Sequence, residues 1–160
     1  MSSIKYSKEA SVTLGGDHWF LMEPIRRVIM IPRLNRNAWV SIPKFYLTDG
    51  ATVPRPMWSL IPPWGDHGEA AIIHDYLCDY LTVQTQNGPM EITRKEADRV
   101  FYDVMRDTGV GSIKARTMYT AVAAYRKSAP IHREPVSEKS YDVAKAELEA
   151  KARLRGGPLP

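Results

Sequence analysis

The clearest periodic pattern in the chain lies between residues 66 and 82, where apolar positions recur at the spacing of one face of an α-helix. Asp66 followed by Glu69 has the form of a capping box, which predicts that the helix begins there. His74 stands in the middle of the apolar face, so its side chain is expected to point into the protein. The predicted face consists of Ala70, Ile73, His74, Leu77, Cys78 and Leu81.

The adjacent Asp75 is expected to point in another direction, because successive residues of a helix are turned by about 100°. It falls on the side of Ala71, Ile72 and Asp79. An inward histidine and a carboxylate that faces elsewhere cannot contact the same atom from the same direction. The pattern therefore predicts two separate roles for His74 and Asp75.

Residues 4–48 alternate short apolar runs with turn residues, which is typical of antiparallel strands. Turns are predicted at Gly15-Gly16-Asp17 and at Asn35-Arg36-Asn37, where the residues tolerate tight backbone conformations. A small antiparallel sheet follows from this pattern. Its predicted strands are 11–14, 18–22, 28–31 and 38–42.

Two more helices are predicted after a polar turn at residues 83–90. Thr93 and Glu96 form a second capping box, which opens the first of them. Asp98 lies at the margin of its apolar face, where a carboxylate needs a partner. Ser112 is expected to begin the third helix.

These elements predict an α+β fold, in which a small N-terminal antiparallel β-sheet is followed by three helices. An antiparallel helix pair would carry His74-Asp75 and Asp98. Because the two helices are joined by a short connection, His74 and Asp98 are expected to lie within about 6 Å, a hydrogen bond or one bridging water.

The organisation of the chain changes after residue 128. We predict a single α+β domain over residues 1–128, a Pro-rich linker over 129–136 and a C-terminal helical arm over 137–160. The apolar stripe of the arm is thin, so it is expected to order against a neighbour, either another chain or a second copy of this one.

Composition narrows the function only slightly. The 160 residues give a net charge of +4, but the cations are spread along the chain, so the charge does not indicate nucleic acid as a partner. A single cysteine excludes internal disulfides. Neither a secretion signal nor a transmembrane segment is evident in the sequence.

Three segments in a fixed order resemble a family of short uncharacterised proteins of bacteriophages and prophages. They are Thr-Asp-Gly-Ala-Thr-Val-Pro at 48–54, His-Asp-Tyr-Leu at 74–77 and Arg-Lys-Glu-Ala-Asp-Arg-Val-Phe at 94–101. This resemblance implies a phage origin, with the protein in the host cytoplasm or in the phage particle, and other phage proteins as partners of the arm.

The same order is similar, more distantly, to bacterial phospholipases A2. That resemblance implies that His74 is the general base and Asp98 the group that orients it. It also implies a calcium ion held by Asp75 and by Asp49, Gly50 and Ala51 of the loop. The substrate would then be an acyl ester of a bacterial envelope lipid.

Two functions of different classes remain open at this point. One is the calcium-assisted ester hydrolase, and the other is a non-catalytic phage virion or assembly component in which the same polar groups lock helix to helix. A metal-dependent hydrolase of cell-wall material is a weaker third hypothesis. An enzyme should leave His74 accessible, whereas a structural protein should bury it with its nitrogens bonded.

Overall fold

The computed structural model describes residues 19–21, 23–34, 36–43, 46–48 and 67–128. Six strands and three α-helices lie within these ranges. In chain order they are β1 (Trp19–Phe20), β2 (Ile25–Ile31), β3 (Arg36–Ile42), β4 (Leu47–Thr48), α1 (Gly68–Tyr80), β5 (Thr82–Thr85), β6 (Gly88–Glu91), α2 (Arg94–Asp107) and α3 (Ser112–Ser128). The predicted α+β class, with an antiparallel sheet and three helices, is confirmed.

The main sheet has four antiparallel strands in the order β2-β3-β5-β6, and β1 pairs with β4 in a separate two-stranded sheet. Side chains of β2 and β3 alternate between the core and the outer face. Val28 and Met30 stand on the outer face, 64% and 52% exposed. The inner face and the helices share one core, to which the sheet contributes Ile25, Ile29, Ile31, Ala38, Val40 and Ile42.

The chain reversal between β2 and β3 differs from the prediction. A 3₁₀ turn at Pro32–Leu34 makes it, and β3 already begins at Arg36, inside the predicted turn at residues 35–37. Proline fixes its own φ near the helical value, so Pro32 can open a helical turn as readily as it can end a strand.

The prediction of a polar turn at residues 83–90 was wrong, because this segment forms the β5–β6 hairpin and completes the sheet. Only Gln86 and Asn87 make the turn, and Gly88 follows at φ +103°. Thr85 is buried, and its hydroxyl donates to the carbonyl oxygen of Gly88 over 2.8 Å. A polar side chain satisfied within the hairpin therefore occupies a core position that the pattern of apolar residues could not reveal.

The predicted capping box at Asp66 and Glu69 lies partly outside the described residues. Helix α1 begins at Gly68, its N-cap is His67, and the His67 side chain makes no capping hydrogen bond. The Glu69 carboxylate accepts a hydrogen bond of 2.9 Å from Arg27 Nη1 on β2 and forms an ion pair with it. Asp66 lies outside the described residues.

Helix α2 begins as predicted. The Thr93 hydroxyl accepts from the backbone N–H of Glu96 over 3.1 Å, and the Glu96 carboxylate accepts from the backbone N–H of Thr93 over 2.8 Å. This reciprocal box fixes the first turn. After the helix, Gly109 takes φ +93°, a left-handed conformation that glycine adopts without strain.

The three helices run antiparallel to their chain neighbours. Arg27 bonds Glu69 near the start of α1 and Asp107 at the end of α2, whereas His74 and Asp98 meet nearer the middle of the pair. Antiparallel packing is thus confirmed for α1 and α2. For α2 and α3, the ring contact of Tyr102 with Tyr119 and the bond of Asp98 with Arg126 give the same result.

Candidate functional site

His74 and Asp98 face one another across the interface of α1 and α2. His74 Nε2 lies 2.8 Å from Asp98 Oδ1, and the two side chains are 7% and 2% exposed. His74 points inward because it occupies the apolar face of α1, and Asp98 approaches from the margin of the apolar face of α2. The expected approach of these two residues is confirmed, while a catalytic role for them stays a prediction.

A third group, Arg126 on α3, completes the contact. Its Nε donates to Asp98 Oδ2 over 2.6 Å, so each oxygen of the carboxylate has a different partner. The Arg126 side chain is 25% exposed, and it thus reaches from the surface to the buried carboxylate.

Sequence reasoning missed Arg126, although the periodicity of α3 contains a signal. Met118 and Val122 are buried positions four residues apart, and Arg126 is the next position in the same series. A cation that continues a buried stripe needs an anionic partner, and Asp98 was a carboxylate that needed a partner.

The hydrogen bonds define how protons are distributed in this cluster. Arg126 is a donor only and is always charged, and an ionised carboxylate is an acceptor only. An ionised Asp98 accepts from both neighbours, and a neutral His74 ring beside it then has its proton on Nε2 and its lone pair on Nδ1. With a neutral ring, the buried set of one anion and one cation has no net charge.

Phe101 and Cys78 border the imidazole ring. The rings of Phe101 and His74 have centroids 5.0 Å apart, and Cys78 Sγ lies 3.5 Å from His74 Nε2 and 3.9 Å from Nδ1. Burial raises the pKa of the Cys78 thiol to about 12. The thiol therefore stays protonated near neutral pH, and Cys78 borders the site without being a thiolate nucleophile.

A second polar cluster lies on the other side of α1. The hydroxyl of Tyr46 donates to Asp79 Oδ2 over 2.5 Å, and Asp75 is buried nearby at 4% exposure. Burial raises the pKa of Tyr46, and the charges of Asp75 and Asp79 raise it further. Burial also raises the pKa of Asp79, against the hydrogen bond from Tyr46 and the charge of Arg94. His74 and Asp75 thus occupy two different environments, as the helix geometry predicts.

The proposed calcium ligands are divided between described and undescribed parts of the chain. Asp75 is described, whereas Asp49, Gly50 and Ala51 lie outside the described residues. Within the described ranges, no group of three or more His, Cys, Asp or Glu side chains is arranged to hold a metal ion.

A cleft of about 360 Å³ opens elsewhere, between β2 and α2. Val28, Met30, Val100 and Asp103 are among the residues that line it, and His74, Asp98 and Arg126 do not line it. The cleft and the histidine cluster are therefore separate features.

Among the helices that the structure describes, none combines the length and the hydrophobicity that a membrane-spanning helix requires.

Fold and site together define a small α+β protein with a buried histidine–carboxylate–arginine cluster at the junction of three helices. A family model with the description "Protein of unknown function (DUF1353)" matches residues 28–122. Because the match spans more than half of the chain, the chain belongs to this family. The matched range includes His74 and Asp98 and ends before Arg126.

Two curated relatives come from Sinorhizobium fredii (strain NBRC 101917 / NGR234). The chain is 34% identical over 99 residues to the uncharacterized protein y4jT and 38% identical over 80 residues to the uncharacterized protein y4iH. These matches cover 61% and 49% of the chain but 27% and 30% of the relatives, so the chain spans less than a third of their length. No solved structure matches the chain.

Proposed function

We propose that this protein is a hydrolase of an acyl ester, with His74 as the general base and Asp98 as the group that orients it. The single observation that carries the proposal is the 2.8 Å hydrogen bond between His74 Nε2 and Asp98 Oδ1. A carboxylate at that distance fixes the tautomer of a neutral imidazole and leaves the other ring nitrogen as a base.

The proposed reaction uses Nδ1 of His74. Nδ1 takes a proton from water as the water oxygen bonds to the acyl carbon, which forms a tetrahedral oxyanion and an imidazolium. The ester C–O bond then breaks, and the imidazolium returns its proton to the leaving alkoxide, so the products are a carboxylic acid and an alcohol. Asp98 stabilises the transient imidazolium and keeps its own charge throughout.

We further propose an acyl ester of a bacterial envelope lipid as the substrate, which follows from the resemblance to phage proteins and to phospholipases A2. Calcium is a separate part of the proposal. Asp75 offers the kind of oxygen ligand that calcium binds, and Asp49, Gly50 and Ala51 would supply the others. A bound calcium ion would stabilise the oxyanion.

A hydrolysis assay tests the proposal. The full chain is incubated with vesicles of phosphatidylethanolamine and phosphatidylglycerol, with millimolar calcium or with a chelator, and released fatty acid is measured. We expect release by the native protein and a loss of about 10²- to 10⁴-fold in His74→Gln, the range for removal of a general base. Arg116→Gln, an exposed change on α3, is the control and should retain full activity.

No fatty-acid release by the native protein under either condition would contradict the hydrolase. Equal release by native protein and a folded His74→Gln variant would show that another group carries out the reaction. If fatty-acid release is the same with calcium and with chelator, the role of His74 as general base stands and the role of calcium is rejected.

The burial of His74 meets the expectation stated above for a structural protein, and it favours a second candidate function. His74 and Asp98 are almost fully buried, and Arg126 from a third helix joins them, which suits a polar lock between helices. In this proposal the protein is a non-catalytic phage component, part of the particle or of its assembly. The predicted arm at residues 137–160 would then contact another phage protein or a second copy.

A further inference from the structure

The carboxylate of Asp98 is held from both sides. Oδ1 faces His74 on α1, and Oδ2 accepts from Arg126 Nε on α3. Rotation of the carboxylate about its last side-chain bond would break both contacts at once. The orientation of residue 98 is therefore set by two helices other than its own.

Arg126 and His74 differ in the hydrogen bonds that their side chains can make. Imidazole can donate or accept at either nitrogen, whereas a guanidinium can only donate. Whatever side chain stands at position 98 must thus turn an acceptor atom towards Arg126. The atom that remains for His74 decides whether Nε2 of the ring donates or accepts.

We infer that Arg126 is a positioning residue, which fixes the orientation of residue 98. In the native protein it holds Asp98 Oδ1 towards His74 Nε2, and where residue 98 carries an amide it decides which ring nitrogen of His74 carries the proton. Arg126 lies outside the range matched by the family model, so that match does not assign it this role. The significance of Arg126 for catalysis rests on the proposed function, whereas its control of the orientation of residue 98 is a property of the folded protein in either function.

Asp98→Asn provides a sharp test because asparagine has nearly the same shape as aspartate. Arg126 should hold the amide oxygen, which turns the amide NH₂ towards His74 Nε2 and makes that nitrogen an acceptor. The proton of the neutral ring must then move to Nδ1, the wrong tautomer for a base at that atom. In Asp98→Asn/Arg126→Gln the constraint is removed, so the amide can turn and the proton should return wholly or partly to Nε2.

The measurement is the pattern of long-range ¹H–¹⁵N couplings of the histidine rings in the full chain at one near-neutral pH. The chain has four histidines, and the spectrum of His74→Gln identifies the signals of His74. We expect the proton on Nε2 in the native protein and on Nδ1 in Asp98→Asn. The matched control, Asp98→Asn/Arg116→Gln, loses a cation from the same helix and should keep the proton on Nδ1.

Retention of the proton on Nε2 in Asp98→Asn would overturn the inference, as would an unchanged Nδ1–H pattern in the double variant without Arg126. A second readout is kinetic, because Arg126→Gln should lower kcat by at least about ten-fold with little change in KM, unlike Arg116→Gln. If the proton moves to Nδ1 in Asp98→Asn but the native protein does not hydrolyse esters, the positioning role of Arg126 stands and the proposed function is rejected. If hydrolysis depends on His74 but the proton stays on Nε2 in Asp98→Asn, the proposed function stands and the positioning role of Arg126 is rejected.

Discussion

His74 Nε2 and Asp98 Oδ1 lie 2.8 Å apart although 24 residues separate them in the chain. Both side chains are buried, so neither can exchange its partner for bulk water without local opening of the helix pair. The contact therefore contributes to stability as well as to any chemistry at this site.

Asp98→Ala should destabilise the protein by about 1–3 kcal/mol, because His74 is left buried without its partner. Asp103→Ala is the matched control on the same helix, since within the described ranges Asp103 pairs with Arg99 at the surface, and its loss should cost less than about 1 kcal/mol. Urea denaturation of the two variants measures the difference. Equal midpoints would mean that the buried pair is absent in solution.

Thr93→Ala should cost about 1 kcal/mol, because it removes the hydroxyl that caps α2. Thr120→Ala, at an exposed position inside α3, is a suitable control for the loss of a threonine. Thermal denaturation followed by circular dichroism compares them. Equal Tm values for the two variants would show that the capping box contributes little to the stability of the fold.

Cys78 gives a prediction with a defined pH dependence. Its thiol pKa is raised from 9.0 to about 12, chiefly by burial, so between these values the unfolded chain loses a proton that the folded chain keeps. Stability should therefore fall as pH rises through this range. Denaturation between pH 8 and 10.5 should show a steeper loss in the native protein than in Cys78→Ala. Parallel curves would show that the thiol is not buried as described.

Calcium should raise the Tm if Asp75 is a ligand, because a ligand that binds only the folded state stabilises it. The expected result is an increase at millimolar calcium that is lost in Asp75→Asn and retained in Asp103→Asn. Differential scanning fluorimetry with calcium, magnesium or chelator makes the comparison. A Tm independent of calcium would remove the cation from the site.

The features that could be predicted from the sequence are those that depend on near neighbours in the chain. Thr93 and Glu96 are three residues apart and satisfy one another, so their box was visible as a pattern. The inward direction of His74 followed from the helix period alone. Asp98 was identified because a carboxylate beside an apolar stripe needs a partner.

The features that were missed depend on distant contacts. The ion pair of Glu69 with Arg27 on β2 joins residues 42 positions apart, and the spacing of Glu69 to its near neighbours could not indicate it. The sequence around Thr85 is typical of a loop. In the folded hairpin Thr85 is buried, and its hydroxyl donates a hydrogen bond to the carbonyl oxygen of Gly88. Arg126 is 28 residues from Asp98, so their pairing depends on the packing of α3 against α2.

The most direct test of the hydrolase proposal is whether His74 can be reached from solvent, since a base that activates water must meet it. Diethylpyrocarbonate treatment of the native full chain, read by peptide mass spectrometry, reports the modification of each histidine. His67, which is fully buried at 0% exposure, is the internal reference, and His74 is 6% exposed. The hydrolase predicts that His74 is modified faster than His67 in the native protein. Equal protection of both histidines, lost together in denaturant, would contradict it and favour the polar lock.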